Sequence, residues 1–72
     1  METTLNIEIT INGETRHFAA GVTVTELIAQ LQLTPERIAI EYNRAILARC
    51  CWGETELQTG DALEIVQFVG GG

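Results

Sequence analysis

The chain of 72 residues contains no lysine, one histidine and one proline, and its two cysteines, Cys50 and Cys51, are neighbours. Adjacent cysteines cannot link distant segments, which excludes a small secreted protein held together by disulfides. Neither they nor His17 occur in a spacing typical of zinc sites, so we predict no metal site. No apolar run approaches the ~18 residues of a membrane span, and no basic-then-apolar leader follows Met1. We therefore expect a cytoplasmic domain that is not attached to a membrane.

Positive charge is scarce. Four arginines against ten acidic residues give a formal net charge of −6. Nucleic acid and anionic membranes are therefore poor partners, whereas a basic protein surface suits this chain. With 46% hydrophobic and 19% charged residues, the composition is that of one small globular domain. Such a domain has little room for an enclosed cofactor, and we expect none to be bound.

The residue types of ordinary catalysis do not form a recognisable site. His17 falls on a predicted strand, without a cysteine or serine beside it, and is interpreted as a solvated histidine. The acidic residues are scattered, and the glycines form neither GxGxxG nor a P-loop. The sequence therefore argues against an enzyme acting alone.

The first half of the chain changes from a period of two to a helical period. Leu5 to Ile11 alternate apolar and polar residues, and Asn12-Gly13 then predicts a type I′ hairpin turn into a strand at Glu14–Ala19. A helix is predicted next, with Thr23 as N-cap of a capping box that includes Glu26, and with its end near Leu33.

The second half predicts three strands. Ile38 to Tyr42 alternate, Asn43-Arg44 makes a turn, and Ala45–Ala48 form a short strand. A loop over Arg49–Asp61 then leads to a last strand at Ala62–Phe68.

This order of elements predicts an α+β fold, a β-grasp roll in which one main helix covers one face of a four- to five-stranded mixed sheet. Parallel pairing of the first and last strands is usual in such a roll. The predicted core consists of the inward positions of the periodic segments: Ile7, Ile9, Ile11, Phe18, Val24, Leu27, Ile28, Leu31, Ile38, Ile40, Leu63 and Ile65. Val66 and Phe68 alternate out of phase with this set, and we predict that they anchor a partner on the uncovered face.

Two local features remain. Cys50-Cys51-Trp52 is interpreted as two ordinary cysteines beside a tryptophan that covers the edge of the core, with a redox or sulfur-accepting role as the alternative. The last strand also runs directly into Gly70, Gly71 and Gly72. We predict a domain over residues 1–69 and a flexible tail over 70–72. Glycines can enter a narrow channel, and their terminal carboxylate, ionised at pH 7, must be activated before it reacts. The alternative is an inert, frayed tail.

These features together resemble the ubiquitin-like sulfur carriers, in particular the thiamine-biosynthesis family called ThiS. The family's Ala-Ala-Gly-x-Thr-Val at the start of the helix is matched by Ala19–Val24, and its Asn-[Arg/Lys]-x-Ile by Asn43–Ile46. Its Arg-x-x-Trp is matched by Arg49–Trp52, its Gly-Asp by Gly60-Asp61, and its ending by Glu64–Gly72. The resemblance covers nearly the whole chain. The cysteine pair departs from it, because the family more often has polar residues there.

The resemblance implies a carrier that serves as a co-substrate and has no catalytic activity of its own. An E1-like adenylyltransferase would activate the carboxylate of Gly72 with ATP and magnesium. Sulfur from a cysteine desulfurase would convert this carboxylate to a thiocarboxylate, which would give its sulfur to thiazole synthase. Gly70 and Gly71 would form the arm that reaches the partner's active site.

Three alternatives stay open at this point. The small subunit of molybdopterin synthase uses the same tail chemistry but is typically longer. A ubiquitin-like modifier would form isopeptide bonds, although a chain without lysine cannot form polymers through its own lysines. A β-grasp interaction module would carry inert glycines.

Overall fold

The computed structural model describes residues 6–68, which form five strands, one α-helix and two 3₁₀ helices. In chain order these elements are β1 (Asn6–Ile11), β2 (Glu14–Ala19), α1 (Val24–Gln30), a 3₁₀ helix (Pro35–Arg37), β3 (Ile38–Tyr42), β4 (Ala45–Ile46), a second 3₁₀ helix (Arg49–Glu54) and β5 (Ala62–Gln67).

Over these residues the strands form one mixed sheet in the order β2-β1-β5-β3-β4. The first and last strands, β1 and β5, are parallel neighbours, whereas the pairs β1–β2, β5–β3 and β3–β4 are antiparallel. With α1 packed on one face of this sheet, the predicted β-grasp architecture is confirmed.

Local sequence signals fix the hairpin and the start of the helix as predicted. Asn12 and Gly13 have positive φ values of 53° and 83°, which a type I′ turn requires at both central positions. At the start of α1 the Thr23 hydroxyl accepts a hydrogen bond from the Glu26 amide at 3.2 Å. The Glu26 carboxylate in turn accepts one from the Thr23 amide at 3.0 Å. Both halves of the predicted capping box are therefore present.

The helix ends at Gln30, within the limit of about Leu33 that Pro35 was predicted to impose. Gln32 adopts a left-handed φ of 61°, and its amide donates to the carbonyl of Ala29 at 3.0 Å. The Leu33 amide donates to the carbonyl of Ile28 at 3.2 Å, which completes a Schellman motif. The usual glycine signal for this ending is absent from the sequence, so only the limit imposed by Pro35 could be predicted.

The strand predicted over Ala45–Ala48 is also shorter, because β4 contains only Ala45 and Ile46. One more backbone hydrogen bond follows, from the Leu47 amide to the Ile40 carbonyl at 2.9 Å. The chain then turns into the second 3₁₀ helix, in which the Cys51 amide donates to the Ala48 carbonyl at 2.9 Å. The segment predicted as a loop from Arg49 therefore begins with a helical turn.

The core lies between α1 and the sheet and contains thirteen buried hydrophobic side chains. Two predicted members, Leu31 and Ile65, are only partly buried, because both line an open groove between the end of α1 and β5. The remaining ten predicted residues are buried, and three that were not predicted join them: Val22, Trp52 and Leu57. Leu57 is buried although it follows a loop, because its amide donates to the Val22 carbonyl at 2.9 Å and holds the two segments together.

Candidate functional site

The end of β5 is held firmly up to Phe68. Gln67 pairs with Ile38 on β3, and the Phe68 amide donates to the Arg37 carbonyl at 2.7 Å. Gly70, Gly71 and Gly72, which were predicted to form the reactive tail, lie outside the described residues. Phe68, the last described residue, therefore lies at the end of β5, beside the start of β3.

The side chains of Asn12 and Asn43 determine the position of β5 through backbone contacts. The Asn12 amide group accepts from the Ile65 N–H at 2.7 Å and donates to the Ile65 carbonyl at 3.2 Å. It therefore continues the pairing of β1 with β5 beyond Leu63, the last residue of that register.

Asn43, at a left-handed φ of 51°, accepts from the Ala62 N–H at 2.8 Å and donates to the Asp61 carboxylate at 3.1 Å. The same carboxylate accepts from the Gln58 N–H at 2.8 Å and from the Tyr42 hydroxyl at 3.1 Å. The motif residues Asn43 and Asp61 are thus brought together to anchor the start of β5. Burial and the hydrogen bond to Asp61 raise the pKa of Tyr42 above 10.0.

The face of the sheet opposite α1, called the outer face here, carries exposed apolar side chains. Val66, near the end of β5, is 57% exposed, and Phe68, the first residue after this strand, is 51% exposed. The predicted alternation of this strand is therefore present, with Leu63 buried and Val66 on the other side. Ile46, 74% exposed, lies on the same face because it pairs with Glu41. It was not predicted, although the Asn43-Arg44 turn determines which face Ile46 occupies.

Acidic residues surround these apolar side chains. Glu41 and Glu64 are directly opposite each other on β3 and β5, and both are exposed. The ion pairs found among residues 6–68 are elsewhere, between Arg16 and Glu14 and, if the histidine is protonated, between His17 and Glu8. The outer face therefore combines three exposed apolar residues with a pair of carboxylates that have no positive partner in the described part of the chain.

The cysteines lie on a different part of the molecule, in the second 3₁₀ helix. Both are free, with Cys50 exposed, Cys51 partly exposed, and their sulfur atoms 3.9 Å apart. The thiol hydrogen bond to Cys50 and the nearby carboxylate of Glu54 raise the pKa of Cys51. Trp52 belongs to the core rather than only to its edge, being 4% exposed, and its indole donates to the Leu47 carbonyl at 3.1 Å.

Two features that residues 6–68 lack bear on the type of site. No helix in this part of the chain is long and apolar enough to cross a membrane. No three histidine, cysteine or acidic side chains in it are grouped so as to hold a metal ion. His17 is on β2, where it faces Glu8 at 3.7 Å.

Comparison with known proteins agrees with these features. The ThiS family model matches residues 9–72. The sulfur carrier protein ThiS of Escherichia coli is 33% identical over 66 residues, which are 92% of this chain and 100% of that protein. The crystal structure of a thiamine biosynthesis protein (ThiS) from Geobacter metallireducens superimposes with a TM-score of 0.79 at 33% identity. The match covers 92% of this chain and 100% of that one.

A longer relative, a thiazole synthase from Magnetococcus marinus, is 39% identical over 66 residues. These residues are 92% of this chain but only 20% of the relative, so the chain spans a fifth of that protein's length. The family match and the two ThiS proteins, by contrast, correspond to nearly all of the present sequence. The chain therefore belongs to the ThiS family.

Proposed function

We propose that the carboxylate of Gly72 carries the sulfur, with residues 1–69 acting as the domain that partners recognise and 70–72 as the reactive tail. The observation that carries this proposal is that the family match extends through Gly72. β5 ends at Gln67, and Phe68, two residues before Gly70, is still hydrogen-bonded to Arg37. A partner that binds the end of β5 would therefore receive the glycines directly at its active site.

Activation by an E1-like adenylyltransferase is the first step. The Gly72 carboxylate attacks the α-phosphate of ATP, which is bound with magnesium by the partner, and pyrophosphate leaves. The resulting acyl adenylate has a good leaving group, whereas the free carboxylate is a poor electrophile. A cysteine desulfurase supplies sulfur as a persulfide, and a thiol reductant releases it at the oxidation level of sulfide while the thiol is oxidised to a disulfide. This sulfide attacks the carbonyl carbon and forms a C–S bond as AMP departs. The product is a thiocarboxylate on Gly72.

Thiazole synthase is the proposed acceptor of this sulfur. A relative named thiazole synthase contains a segment similar to this chain over 92% of the chain. Two domains joined in one polypeptide in one organism can act as separate, associating proteins in another, because the linkage only raises their effective concentration. Docking also brings the thiocarboxylate to the acceptor without releasing free sulfide.

The outer face around Val66 and Phe68 is the proposed docking surface for these partners. Both residues are more than half exposed, and they are the apolar side chains of that face closest in sequence to the tail. The exposed apolar surface of these two side chains does not contribute to the stability of the domain, whereas its burial against a partner would contribute to binding. The acidic pair Glu41 and Glu64 would favour a partner with a basic rim and make association sensitive to salt.

ATP–pyrophosphate exchange with an E1-like partner tests the role of Gly72. We expect exchange with the wild type, and none with a form extended by several residues beyond Gly72, which lacks the glycyl carboxylate. Intact mass after addition of a sulfur donor should show replacement of one oxygen by sulfur. Exchange by the extended form at the wild-type rate would contradict the proposal. Heavier protein adducts would instead indicate a ubiquitin-like modifier.

Gly71→Val provides a matched test of the tail. A branched side chain restricts φ and widens the tail, so exchange should fall at least tenfold. The free energy of unfolding should be unchanged, since the core cluster extends only from Ile7 to Leu63. A Gly71→Val protein that is as stable as the wild type and equally active would exclude a narrow channel in the partner.

A further inference from the structure

Cys50 and Cys51 form a pair of thiols with no role in the proposed sulfur transfer. Their sulfur atoms are 3.9 Å apart, Cys50 is exposed and Cys51 is partly exposed. Neither is oxidised. Among residues 6–68, the hydrogen bond found for either sulfur is the one to the other sulfur.

The backbone that carries these thiols is held in place. The Thr55 hydroxyl donates to the Cys51 carbonyl at 2.8 Å, and the Cys51 amide donates to the Ala48 carbonyl at 2.9 Å. The next residue, Trp52, is buried and bonded to the Leu47 carbonyl. The two side chains therefore project from an ordered helical turn, and little conformational freedom must be lost when both bind the same atom.

The separation of the sulfurs suits a bridge through one atom. With bonds of about 2.3 Å, typical of thiolate–zinc, sulfurs 3.9 Å apart subtend an angle of roughly 115° at a shared centre. A pyramidal trivalent centre holds its ligands at a narrower angle, which a small rotation of the two side chains toward each other provides. A direct disulfide would require the sulfurs to approach to about 2.05 Å. It would also join Cα atoms only about 3.8 Å apart, closer than the 4.4–6.8 Å of ordinary disulfides. The pair is thus better arranged to chelate than to oxidise.

The surroundings determine which centre can be chelated. No third metal-binding side chain joins the pair in the described part of the chain, whereas structural zinc requires four ligands. The pair is better suited to an atom that needs only two sulfur ligands from the protein because it already carries its third substituent. Thiolates also prefer soft atoms. We propose that Cys50 and Cys51 form a vicinal dithiol site that binds a trivalent arsenical through both sulfurs.

The reaction is an exchange without oxidation. With phenylarsine oxide, two S–H bonds and the arsenic–oxygen double bond are broken, two arsenic–sulfur bonds form, and one water molecule leaves. Arsenic remains trivalent and keeps its phenyl group. No oxidant, reductant or partner protein is needed, so the site is independent of the tail chemistry and can be tested on the carrier alone.

Titration with phenylarsine oxide, followed by intact mass and thiol counting, tests the proposal. We expect one arsenical per chain and the loss of both free thiols in the wild type. Excess 2-mercaptoethanol, a monothiol, should release it poorly, whereas a small dithiol should release it readily. Cys50→Ser and Cys51→Ser should each bind through one sulfur and release the arsenical at a monothiol concentration at least ~100-fold lower, because the chelate effect is lost.

The double variant Cys50→Ser, Cys51→Ser is the control and should bind none. Far-UV circular dichroism will show that each variant is folded, and partly exposed thiols can be replaced by hydroxyls at little cost. Release of the arsenical from the wild type and from the single variants at the same 2-mercaptoethanol concentration would overturn the proposal. So would a species in which one arsenic links two chains, since that would show that the two sulfurs of one chain cannot reach the same atom.

Discussion

The two faces of β5 differ in what their side chains contact. On the face toward α1, Leu63 is fully buried among core residues. On the outer face, Val66 and Phe68 remain more than half exposed. Since successive side chains of a strand point to opposite sides, one short segment contributes both to the core and to an accessible surface.

This difference separates stability from recognition. Burial of the inner side chains stabilises the domain, by about 1.5–3 kcal/mol for each large aliphatic residue. The outer face contributes little to folding and even opposes it where Glu41 and Glu64 are paired side by side, because like charges directly opposite are destabilising. Substitutions on the two faces should therefore have effects of different kinds.

The largest expected effect is in the core, where α1 packs against the inner face of the sheet. Leu27→Ala removes a side chain that is 0% exposed at the centre of the core, and the free energy of unfolding should fall by roughly 2–5 kcal/mol. Ile46→Ala, a matched aliphatic truncation on the outer face, should change it by less than about 0.5 kcal/mol. Urea denaturation of both variants measures the difference. Similar losses would mean that the two faces are not energetically distinct.

Much of this inner face could be predicted from the sequence because periodicity determines it. The alternation of Ile7, Ile9 and Ile11 leaves only one face that can be buried. The helix start was predictable for the same kind of reason, since Thr23 and Glu26 satisfy each other's backbone amides locally.

Features that depend on contacts distant in sequence were not predictable in this way. The burial of Leu57 requires its pairing with Val22, 35 residues earlier, and no local pattern indicates it. The early end of α1 rests on a glutamine in a left-handed conformation, at Gln32, where glycine is usual. The outer face was predictable for Val66 and Phe68 by alternation, whereas Ile46 required knowledge of the register of β4.

On the outer face, the largest expected effect is on binding. Phe68→Ala should weaken affinity for the E1-like partner by at least tenfold, about 1.4 kcal/mol, if Phe68 is a central anchor. Its unfolding free energy should change by about 0.5 kcal/mol or less, since the side chain is half exposed. Gln67→Ala is the neighbouring control, on the other side of the strand, and should bind normally. Isothermal titration calorimetry measures the affinity of each variant for the partner. An unchanged affinity of Phe68→Ala would show that Phe68 is not part of the docking surface.

Removing one charge of the acidic pair should affect folding and binding in opposite directions. Glu64→Gln relieves the repulsion with Glu41, so the free energy of unfolding should rise by roughly 0.2–1 kcal/mol. Affinity for a basic partner should fall, and its dependence on salt should become weaker. Glu36→Gln, in the 3₁₀ helix before β3, removes the same charge away from the sheet and serves as control. A loss of stability in Glu64→Gln would show that the pair is not repulsive.

The smallest effect concerns Tyr42, the last residue of β3, whose hydroxyl donates to Asp61 beside the start of β5. Burial, with the Asp61 hydrogen bond and charge, raises its pKa above the ordinary 10.0. The folded protein therefore holds this proton more tightly than the unfolded chain. The stability it contributes is complete below pH 10 and is lost as the pH rises through the raised pKa. Because Tyr42 is the only tyrosine of the chain, tyrosinate absorbance reports it alone.

We expect the titration midpoint to lie above 10.0 in the native protein and to return toward 10.0 in concentrated urea. Asp61→Asn keeps an acceptor oxygen but removes the negative charge, and should lower the native midpoint without bringing it fully to 10.0, because burial, the largest cause, persists. Tyr42→Phe should remove the tyrosine's share of the fall in unfolding free energy above pH 10. Equal midpoints in the native and the urea-unfolded protein would show that neither burial nor Asp61 perturbs this hydroxyl.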